Sequence, residues 1–371
     1  MEHSSMKQAR SGPVGLLLSD VVNESNGTRI DQMADEANVS LRRYTLQQAP
    51  TDPGSIHAAF FSRELYQGSS LRKPGPLSNA FFSVVDAAPR LRWLHVCSSG
   101  LDLPQYEKSL KRGVHVTSST GTTALPIAQT VLAAVLAQSR GFDHWLSAQS
   151  KKQWSPLAGQ DKPKEINEQR VVVIGTGPIG CEIGRLLKAV GFQTTAVRRS
   201  AIATPPFDET ITFSQLDRIL PHCDWLILAV PLTPQTCGLI SESRLALLPP
   251  HARLVNVARG ELIDEVALAK ALGSGKLRGA YLDTFVEEPL PENSPLWNLP
   301  GVWISPHNSA ASQGHEERVI DSFLENLVAM GAEDSALEAV VYGADGILAA
   351  LPQGAIHVSC STISVALAER L

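Results

Sequence analysis

The sequence lacks an excess of either charge, and it lacks a long apolar run. Its 32 lysines and arginines nearly balance 37 aspartates and glutamates, which gives a net charge of −5. General polyanion binders need a dense basic face, so the composition argues against a nucleic-acid partner. The apolar run "VGLLLSDVV" is interrupted at Asp20, and the polar start "MEHSSMKQARSG" has no signal-peptide core. We therefore expect no membrane partner.

Cysteine is scarce, and no two cysteines form a CxxC pair. The five stand at Cys97, Cys181, Cys223, Cys237 and Cys360. An odd, scattered set suits a reducing compartment better than a disulfide framework. We therefore expect a cytoplasmic protein, and we predict no metal site.

The sequence is instead rich in alternating β-rich and helical patterns. Short β-rich runs occur at "GLLLS", "LRWLHVC", "VHVTS", "RVVVIG", "QTTAV", "WLILAV", "RLVNVA", "GAYLD" and "VWISP". Amphipathic segments at 178–190, 241–248 and 264–274 lie between several of them. This alternation predicts an α/β fold of parallel sheets covered by helices, and 371 residues are enough for two domains. Residues 150–168 are polar, contain two prolines and are typical of a connector.

The stretch "RVVVIGTGPIGCEIGRLLKAVG" joins a strand, a GxGxxG motif and a helix. Gly175 permits a tight turn, Gly177 lets the backbone approach a pyrophosphate, and Gly180 allows close helix–strand packing. Pro178 and Ile179 open the helix, whose N-terminal N–H groups are free to bind an anion. The motif alone also fits a chance match in a glycine-rich loop, but its context predicts a dinucleotide-binding unit.

The next strand ends in "AVRRS", where NAD-binding units usually carry an acid that binds the ribose hydroxyls. Arg198 reverses the charge at that position. Guanidinium groups bind phosphate in bidentate fashion, and a serine hydroxyl adds a donor. Arg198, Arg199 and Ser200 are therefore predicted to bind the 2′-phosphate of NADP(H). The alternative is that they are solvated loop residues, which leaves NAD(H) possible.

Three later segments, "LVNVARGELIDE", "LDTFVEEPLPENSPLW" and "ISPHNSAAS", carry polar residues at predicted strand ends. In open α/β sheets, ligands bind beyond the carboxyl ends of the strands. Arg259 could there bind a 2-keto acid, His307 could donate a proton, and Glu288 could orient the histidine. Taken singly, each also fits a structural role: a surface arginine, a solvated acid and a turn histidine.

Together these segments resemble the D-isomer-specific 2-hydroxyacid dehydrogenase family, over about residues 14 to 328. "LRWLHVCSSGLD", "GTTALPIAQTVLAAVL" and "CDWLILAVPLTPQTCGLI" extend the match. The resemblance implies that Arg259, Glu288 and His307 are the catalytic arginine, carboxylate and histidine. The resemblance alone selects Glu288 over the adjacent Glu287.

The resemblance also implies a fold and further contacts. A Rossmann-type cofactor domain, 119–306, would be inserted in a flavodoxin-like substrate domain, 12–118 and 307–330, with the substrate between them. Backbone N–H groups of Ser99 and Gly100 would hold the substrate carboxylate, and Asp283 would face the nicotinamide amide. Further implied cofactor contacts are Pro231, Thr236, Val257 and Ala258. Relatives dimerise through the cofactor domain, so a homodimer is expected.

The last residues, 331–371, depart from that family. They resemble a fragment of the β-hydroxyacid dehydrogenases, such as 3-hydroxyisobutyrate dehydrogenase, in the region of "STIS". The fragment lacks that family's own glycine motif, so an appendage without a second active site is expected. The leading interpretation of the whole chain is an NADPH-dependent reductase of small 2-keto acids, of the glyoxylate or hydroxypyruvate type. The alternatives are an NAD-preferring member and a cofactor-sensing, corepressor-like binding protein.

Overall fold

The computed structural model describes residues 13–67, 74–101, 103–159 and 162–331. These residues divide into two compact units. The first contains the described residues up to 122 and from 316 onward, and the second contains those of 123–315. The predicted appendage, 331–371, lies outside the described residues except for residue 331, which ends the last helix.

The first unit is built on a five-stranded sheet. Its strands are β1 (Val14–Leu17), β2 (Leu41–Tyr44), β3 (Ala58–Phe61), β4 (Trp93–Val96) and β5 (His115–Ser118). All pairs are parallel, in the order β2-β1-β3-β4-β5, which is the flavodoxin-like order. Its helices are α1 (Asp20–Glu36), α2 (Pro76–Ala87) and α3 (Pro104–Lys111).

The last described helix, α10 (His315–Gly331), covers one face of this sheet. Phe323 stacks on Trp93 at a centroid distance of 5.4 Å and on Phe60 at 4.5 Å. Ile320 and Leu327 are buried in the same cluster. The amphipathic pattern of α10 is therefore explained by its burial against β3 and β4.

The second unit is built on a seven-stranded parallel sheet. Its strands are β6 (Arg170–Ile174), β7 (Gln193–Arg198), β8 (Glu209–Thr212), β9 (Trp225–Leu228), β10 (Arg253–Asn256), β11 (Gly279–Leu282) and β12 (Val302–Ile304). Their order, β12-β11-β10-β9-β6-β7-β8, is that of a doubly wound Rossmann sheet. The strand order reverses between β6 and β9, where such sheets bind nucleotides.

Helices cover both faces of the second sheet. They are α4 (Ala124–Ser139), α5 (Phe142–Ser150), α6 (Pro178–Ala189), the short α7 (Leu216–Ile219), α8 (Glu242–Leu247) and α9 (Glu265–Gly273). Ser241 and Asp264 cap α8 and α9 through their side chains, which accept backbone N–H groups of the first turn. The predicted helical segments at 178–190, 241–248 and 264–274 thus begin and end within one residue of the observed ones.

Residues 307–315 belong to the second unit, although they were assigned to the substrate domain from the sequence. The reason is local. His307, Asn308 and Ser309 hydrogen-bond Asp283 at the end of β11. The predicted boundaries after residues 118 and 306 precede the points at which the chain changes units, and the domain assignment stays a prediction.

Candidate active site

The three glycines of the GxGxxG motif have different surroundings. Gly175 follows β6 with a φ of +106°, and a Cβ there would lie 2.3 Å from the Ala229 carbonyl oxygen. A Cβ on Gly180 would lie 2.0 Å from the Gly175 carbonyl oxygen. A Cβ on Gly177 would meet no heavy atom within 4 Å. Gly175 and Gly180 are thus required by packing, whereas Gly177 leaves open space in front of the loop.

That open space lies at the N-terminus of α6. Gly177 is the N-cap residue and has no side chain to accept the first N–H groups, and Pro178 occupies the first turn. Ile179 is half-buried against the core on one face of the sheet. A helix N-terminus with uncapped N–H groups suits the pyrophosphate of a dinucleotide.

Arg198 is the last residue of β7, which lies beside β6 on the side away from β9. Its Nη1 donates to the Thr204 Oγ1 at 2.8 Å, and the side chain is half-buried. Burial raises the pKa of the Cys181 thiol in α6, and the positive charge of Arg198 opposes that shift. Arg198 is thus close enough to the glycine-motif helix to act on its electrostatics. Arg199 is exposed and Ser200 half-buried in the loop that follows.

The loop after β9 contains Pro231, which is exposed, and Thr236, which is buried. The Thr236 hydroxyl donates to the Pro231 carbonyl at 2.7 Å and accepts the Thr233 N–H at 2.8 Å. Thr236 therefore closes this loop on itself. A contact of either residue with a cofactor stays a prediction.

The turn after β10 is held by Asn256, which the sequence reasoning did not single out. Its amide donates to the Arg259 carbonyl at 2.8 Å, and its Oδ1 accepts the Ala258 N–H at 3.1 Å. Asn256 is 1% exposed, so the turn through Val257 and Ala258 has a fixed path. A buried asparagine directly at a strand end, in "LVNVARG", is the sequence signal that could have identified it.

His307 and Glu288 form a hydrogen-bonded pair. The His307 Nδ1 lies 2.8 Å from the Glu288 Oε2, and the Glu288 Oε1 accepts the Phe285 N–H at 3.0 Å. The other acid, Glu287, is exposed. The geometry therefore distinguishes Glu288 from Glu287, which the residues alone did not.

Opposing effects act on the Glu288 carboxyl. Burial raises its pKa, while the hydrogen bond and charge of His307, the Phe285 N–H and the charge of Arg259 lower it. The lowering effects prevail, so the pKa of Glu288 lies below its usual value. Arg259 is half-buried in an extended conformation, with its Nη1 donating to the Ala258 carbonyl at 2.6 Å. The arginine after β10 and the histidine after β12 thus both act on the carboxylate after β11.

Asp283 organises the loop that carries His307. Its Oδ1 accepts the N–H groups of Asn308 at 2.8 Å and Ser309 at 3.0 Å, and the hydroxyl of Ser305 at 2.5 Å. Its Oδ2 accepts the Ser309 hydroxyl, and the residue is 2% exposed. The loop therefore accounts for most of the acceptor capacity of this carboxylate. The nicotinamide contact expected from the sequence stays a prediction, and Ser305 and Ser309 are partners that sequence reasoning missed.

Ser99 and Gly100 follow β4 in the first unit. The Ser98 hydroxyl donates to the Gly100 carbonyl at 2.7 Å, and the Thr120 hydroxyl donates to the Ser99 carbonyl at 3.3 Å. Both carbonyls therefore have partners within this unit. The role of the two N–H groups in holding a substrate carboxylate stays a prediction.

Several classes of site are not found among the described residues. No group of three or more histidines, cysteines or acids is arranged to hold a metal ion in the part of the chain that the structure describes. None of the described helices is both long and apolar enough to cross a bilayer. The four described cysteines, Cys97, Cys181, Cys223 and Cys237, are free thiols.

A Rossmann sheet with this glycine loop and a polar trio at the strand ends defines an NAD(P)-dependent oxidoreductase. Residues 132–309 match the family model described as "D-isomer specific 2-hydroxyacid dehydrogenase, NAD binding domain". The chain is 30% identical over 304 residues to glyoxylate/hydroxypyruvate reductase B of Pectobacterium atrosepticum, covering 80% of this chain and 92% of that protein. The chain belongs to the D-isomer specific 2-hydroxyacid dehydrogenase family, as the sequence predicted.

Two further relatives support this assignment. A glyoxylate reductase of Thermococcus gammatolerans is 35% identical over 258 residues, covering 66% of this chain and 75% of that protein. A crystal structure of a D-isomer specific 2-hydroxyacid dehydrogenase from Xanthobacter autotrophicus, in complex with NADPH and MES, aligns with a TM-score of 0.67. It is 26% identical, and the alignment covers 86% of this chain and 96% of that one. The predicted α/β architecture of Rossmann and flavodoxin-like parts is thereby confirmed.

Proposed function

We propose that the protein reduces a small 2-keto acid, of the glyoxylate or hydroxypyruvate type, to the D-2-hydroxy acid with NADPH. The observation that carries this proposal is the hydrogen bond between His307 and Glu288 beside the charge of Arg259. The relatives named glyoxylate reductase and glyoxylate/hydroxypyruvate reductase support the substrate class. The NADPH-bound structure from Xanthobacter autotrophicus supports the cofactor, as does Arg198, which forms no ion pair with any residue that the structure describes.

When bound, NADPH supplies the hydride that reduces the carbonyl carbon. His307 then donates a proton from Nε2 to the carbonyl oxygen, because its Nδ1 is engaged with Glu288. The hydrogen bond to Glu288 fixes the orientation of the imidazole ring. Arg259 binds the keto-acid carboxylate and polarises the carbonyl.

The residues of the second unit fit the cofactor that this reaction needs. Gly177 leaves the N-terminus of α6 open to a pyrophosphate, as its unobstructed Cβ position indicates. Arg198, Arg199 and Ser200 would bind the 2′-phosphate. The nicotinamide half would be lined by Pro231, Thr236 and the backbone of Val257 and Ala258. The Asp283 carboxylate would accept from the carboxamide with the acceptor capacity that the loop leaves.

We also propose a homodimer formed through the second unit. Trp154 is 99% exposed, and Phe142, Trp145 and Leu146 on α5 are each more than 40% exposed. The rings of Phe142 and Trp145 pack on each other at 5.3 Å. Exposed large apolar side chains, such as the packed pair on α5 and Trp154 shortly after it in sequence, are typical of a protein interface. We place the protein in the cytoplasm on the pattern of its cysteines.

An assay of NADPH and NADH oxidation with glyoxylate, hydroxypyruvate and pyruvate tests the function. We expect turnover with NADPH and a two- or three-carbon keto acid, and a D-configured product where the product is chiral. Turnover with NADH alone would favour the NAD-preferring alternative. Tight NADPH binding without turnover of any keto acid would favour the cofactor-sensing alternative.

A further inference from the structure

Among the described residues, Arg198 has a neutral hydrogen-bond partner and no acidic one. Its Nη1 donates to the Thr204 hydroxyl at 2.8 Å, and within the described ranges it forms no ion pair with a carboxylate. A guanidinium has five N–H donors, so one hydrogen bond leaves most of them available. A half-buried cation without a counter-charge is stabilised when an anion binds beside it.

The direction of the Thr204 hydroxyl is fixed. It donates its hydrogen to the Ile202 carbonyl at 2.9 Å, which leaves its oxygen lone pairs to accept from Arg198. The Thr204 N–H in turn donates to the Thr210 Oγ1 in β8 at 3.1 Å. The guanidinium is therefore tied through one threonine to both its own loop and the neighbouring strand.

The loop that carries Thr204 is itself anchored to the glycine-motif helix. Phe207 is buried, and a Cβ on Gly184 of α6 would lie 2.4 Å from its ring. The Asp208 carboxylate accepts the Thr194 N–H at 2.9 Å at the start of β7. With both the helix and β7 holding the loop, Thr204 has its position before any ligand binds.

We infer that Thr204 is a specificity-determining residue, which fixes Arg198 in the orientation that binds the adenine-ribose 2′-phosphate. This inference rests on the proposed use of NADPH. With the hydroxyl present, the Arg198 side chain already loses its rotamer freedom when the protein folds. Without the hydroxyl, that freedom is lost only when the phosphate binds, so binding becomes weaker. A ligand that lacks the 2′-phosphate makes no contact with Arg198 and is unaffected. Thr204 thus acts on the discrimination between the two cofactors.

The test compares Thr204→Val, which keeps the shape of the side chain, with Thr204→Ser, which keeps the hydroxyl. Calorimetry on the full chain measures binding of adenosine 2′,5′-bisphosphate and of 5′-AMP, which lacks only the 2′-phosphate, so the readout does not depend on turnover. We expect Thr204→Val to weaken binding of the bisphosphate by about five- to tenfold, the effect of immobilising one long side chain on binding. Binding of 5′-AMP should change by less than about twofold, and Thr204→Ser should resemble the unmutated protein on both.

Three outcomes contradict the inference in different ways. Equal weakening of both nucleotides by Thr204→Val would show that the threonine only maintains the loop. Unchanged preference for the bisphosphate in Thr204→Val would overturn the inference and leave the proposed use of NADPH standing. An unmutated protein that binds both nucleotides equally would overturn the proposed cofactor preference, and the inference with it.

Discussion

The backbone N–H of His307 donates to the backbone carbonyl of Asp283 at 2.8 Å, while the Asp283 carboxylate binds the two residues that follow His307. His307 has a φ of +51°, a left-handed conformation that is uncommon outside glycine. The surrounding hydrogen bonds therefore hold the histidine in a conformation that the chain alone disfavours.

Replacing Asp283 with Asn should release this loop. The asparagine amide can accept on one side only, and its NH₂ would face N–H or O–H groups that now donate to the carboxylate. We expect the free energy of unfolding to fall by about 2–3 kcal/mol, and kcat/KM to fall at least about tenfold. Chemical denaturation and steady-state assays measure both. Asp217→Asn, at an exposed acid of α7, is the matched control and should stay within about 0.5 kcal/mol.

Replacing His307 with Gln should remove proton donation while leaving the cofactor site intact. We expect kcat to fall by about 10²–10⁴-fold, the usual contribution of a general acid. The Kd for NADPH, measured by fluorescence or calorimetry, should change little. His251→Gln removes a half-exposed histidine of the same unit and should leave kcat unchanged. Near-normal turnover of the His307→Gln protein would remove the histidine from the mechanism.

Replacing Arg198 with Asp should reverse the cofactor preference. The unmutated protein is expected to favour NADPH over NADH by at least about tenfold in kcat/KM, on the order of 1.4 kcal/mol. An aspartate repels the 2′-phosphate and accepts from the ribose hydroxyls of NADH. Arg218→Asp makes the same charge change at an exposed position in α7 and should keep the preference for NADPH. If the ratio of kcat/KM with NADPH to kcat/KM with NADH is the same in both variants, the assignment of Arg198 to the 2′-phosphate is wrong.

His95 should make stability depend on pH. It is fully buried between Thr117 and Ser119, and burial lowers its pKa from 6.5 to about 3. Between those values the unfolded chain binds a proton that the folded protein excludes, so stability falls as the pH decreases through 6.5. From pH 7 to 5, the contribution lost should be about 2 kcal/mol.

Denaturant unfolding of His95→Gln at both pH values tests this assignment. The variant lacks the titrating ring, so its loss of stability between pH 7 and 5 should be smaller than that of the unmutated protein by about the same 2 kcal/mol. His222→Gln, at an exposed histidine, should keep the original pH dependence. Equal pH dependence in all three proteins would show that His95 titrates in the folded state as it does in water.

Trp154 should contribute to self-association. Replacing this exposed side chain with Lys exchanges an apolar surface for a charge, which opposes burial in an interface. We expect the unmutated protein to sediment as a dimer, and Trp154→Lys to shift it toward the monomer at micromolar concentration. Lys152→Ala, at an exposed residue nearby in sequence, should leave the sedimentation unchanged. A monomeric unmutated protein would contradict the proposed dimer.

Most strands could be predicted because they are short runs of buried branched or aromatic residues. The strands β2, "LRRY", and β8, "ETIT", escaped notice because each lies at a sheet edge, where charged and polar residues are favoured. The strand β3, "AAFF", is buried throughout but begins with alanines, which favour helix as much as strand. Sequence pattern thus finds strands of branched apolar residues more readily than polar or alanine-rich ones.

Only part of the candidate site could be predicted from the sequence. Parallel strands align their carboxyl ends, so Arg259, Glu288 and His307 could be expected to lie together from their positions alone. The partners that hold them could not, because these hydrogen bonds join residues far apart in the chain. Asp283 binds Ser305 and Ser309 across more than twenty residues, and nothing in either segment identifies the other.

The stacking of Phe323 on Trp93 has a consequence for synthesis. The first unit needs a helix that leaves the ribosome only after the whole second unit has been made. At the usual rate of translation, the roughly two hundred residues in between take on the order of 10–40 s. Throughout that interval α10 is absent, so Trp93 and Phe60 lack the Phe323 ring that stacks on them. The second unit is continuous in sequence and can fold as soon as it emerges. The amino-terminal part of this chain therefore completes its core last.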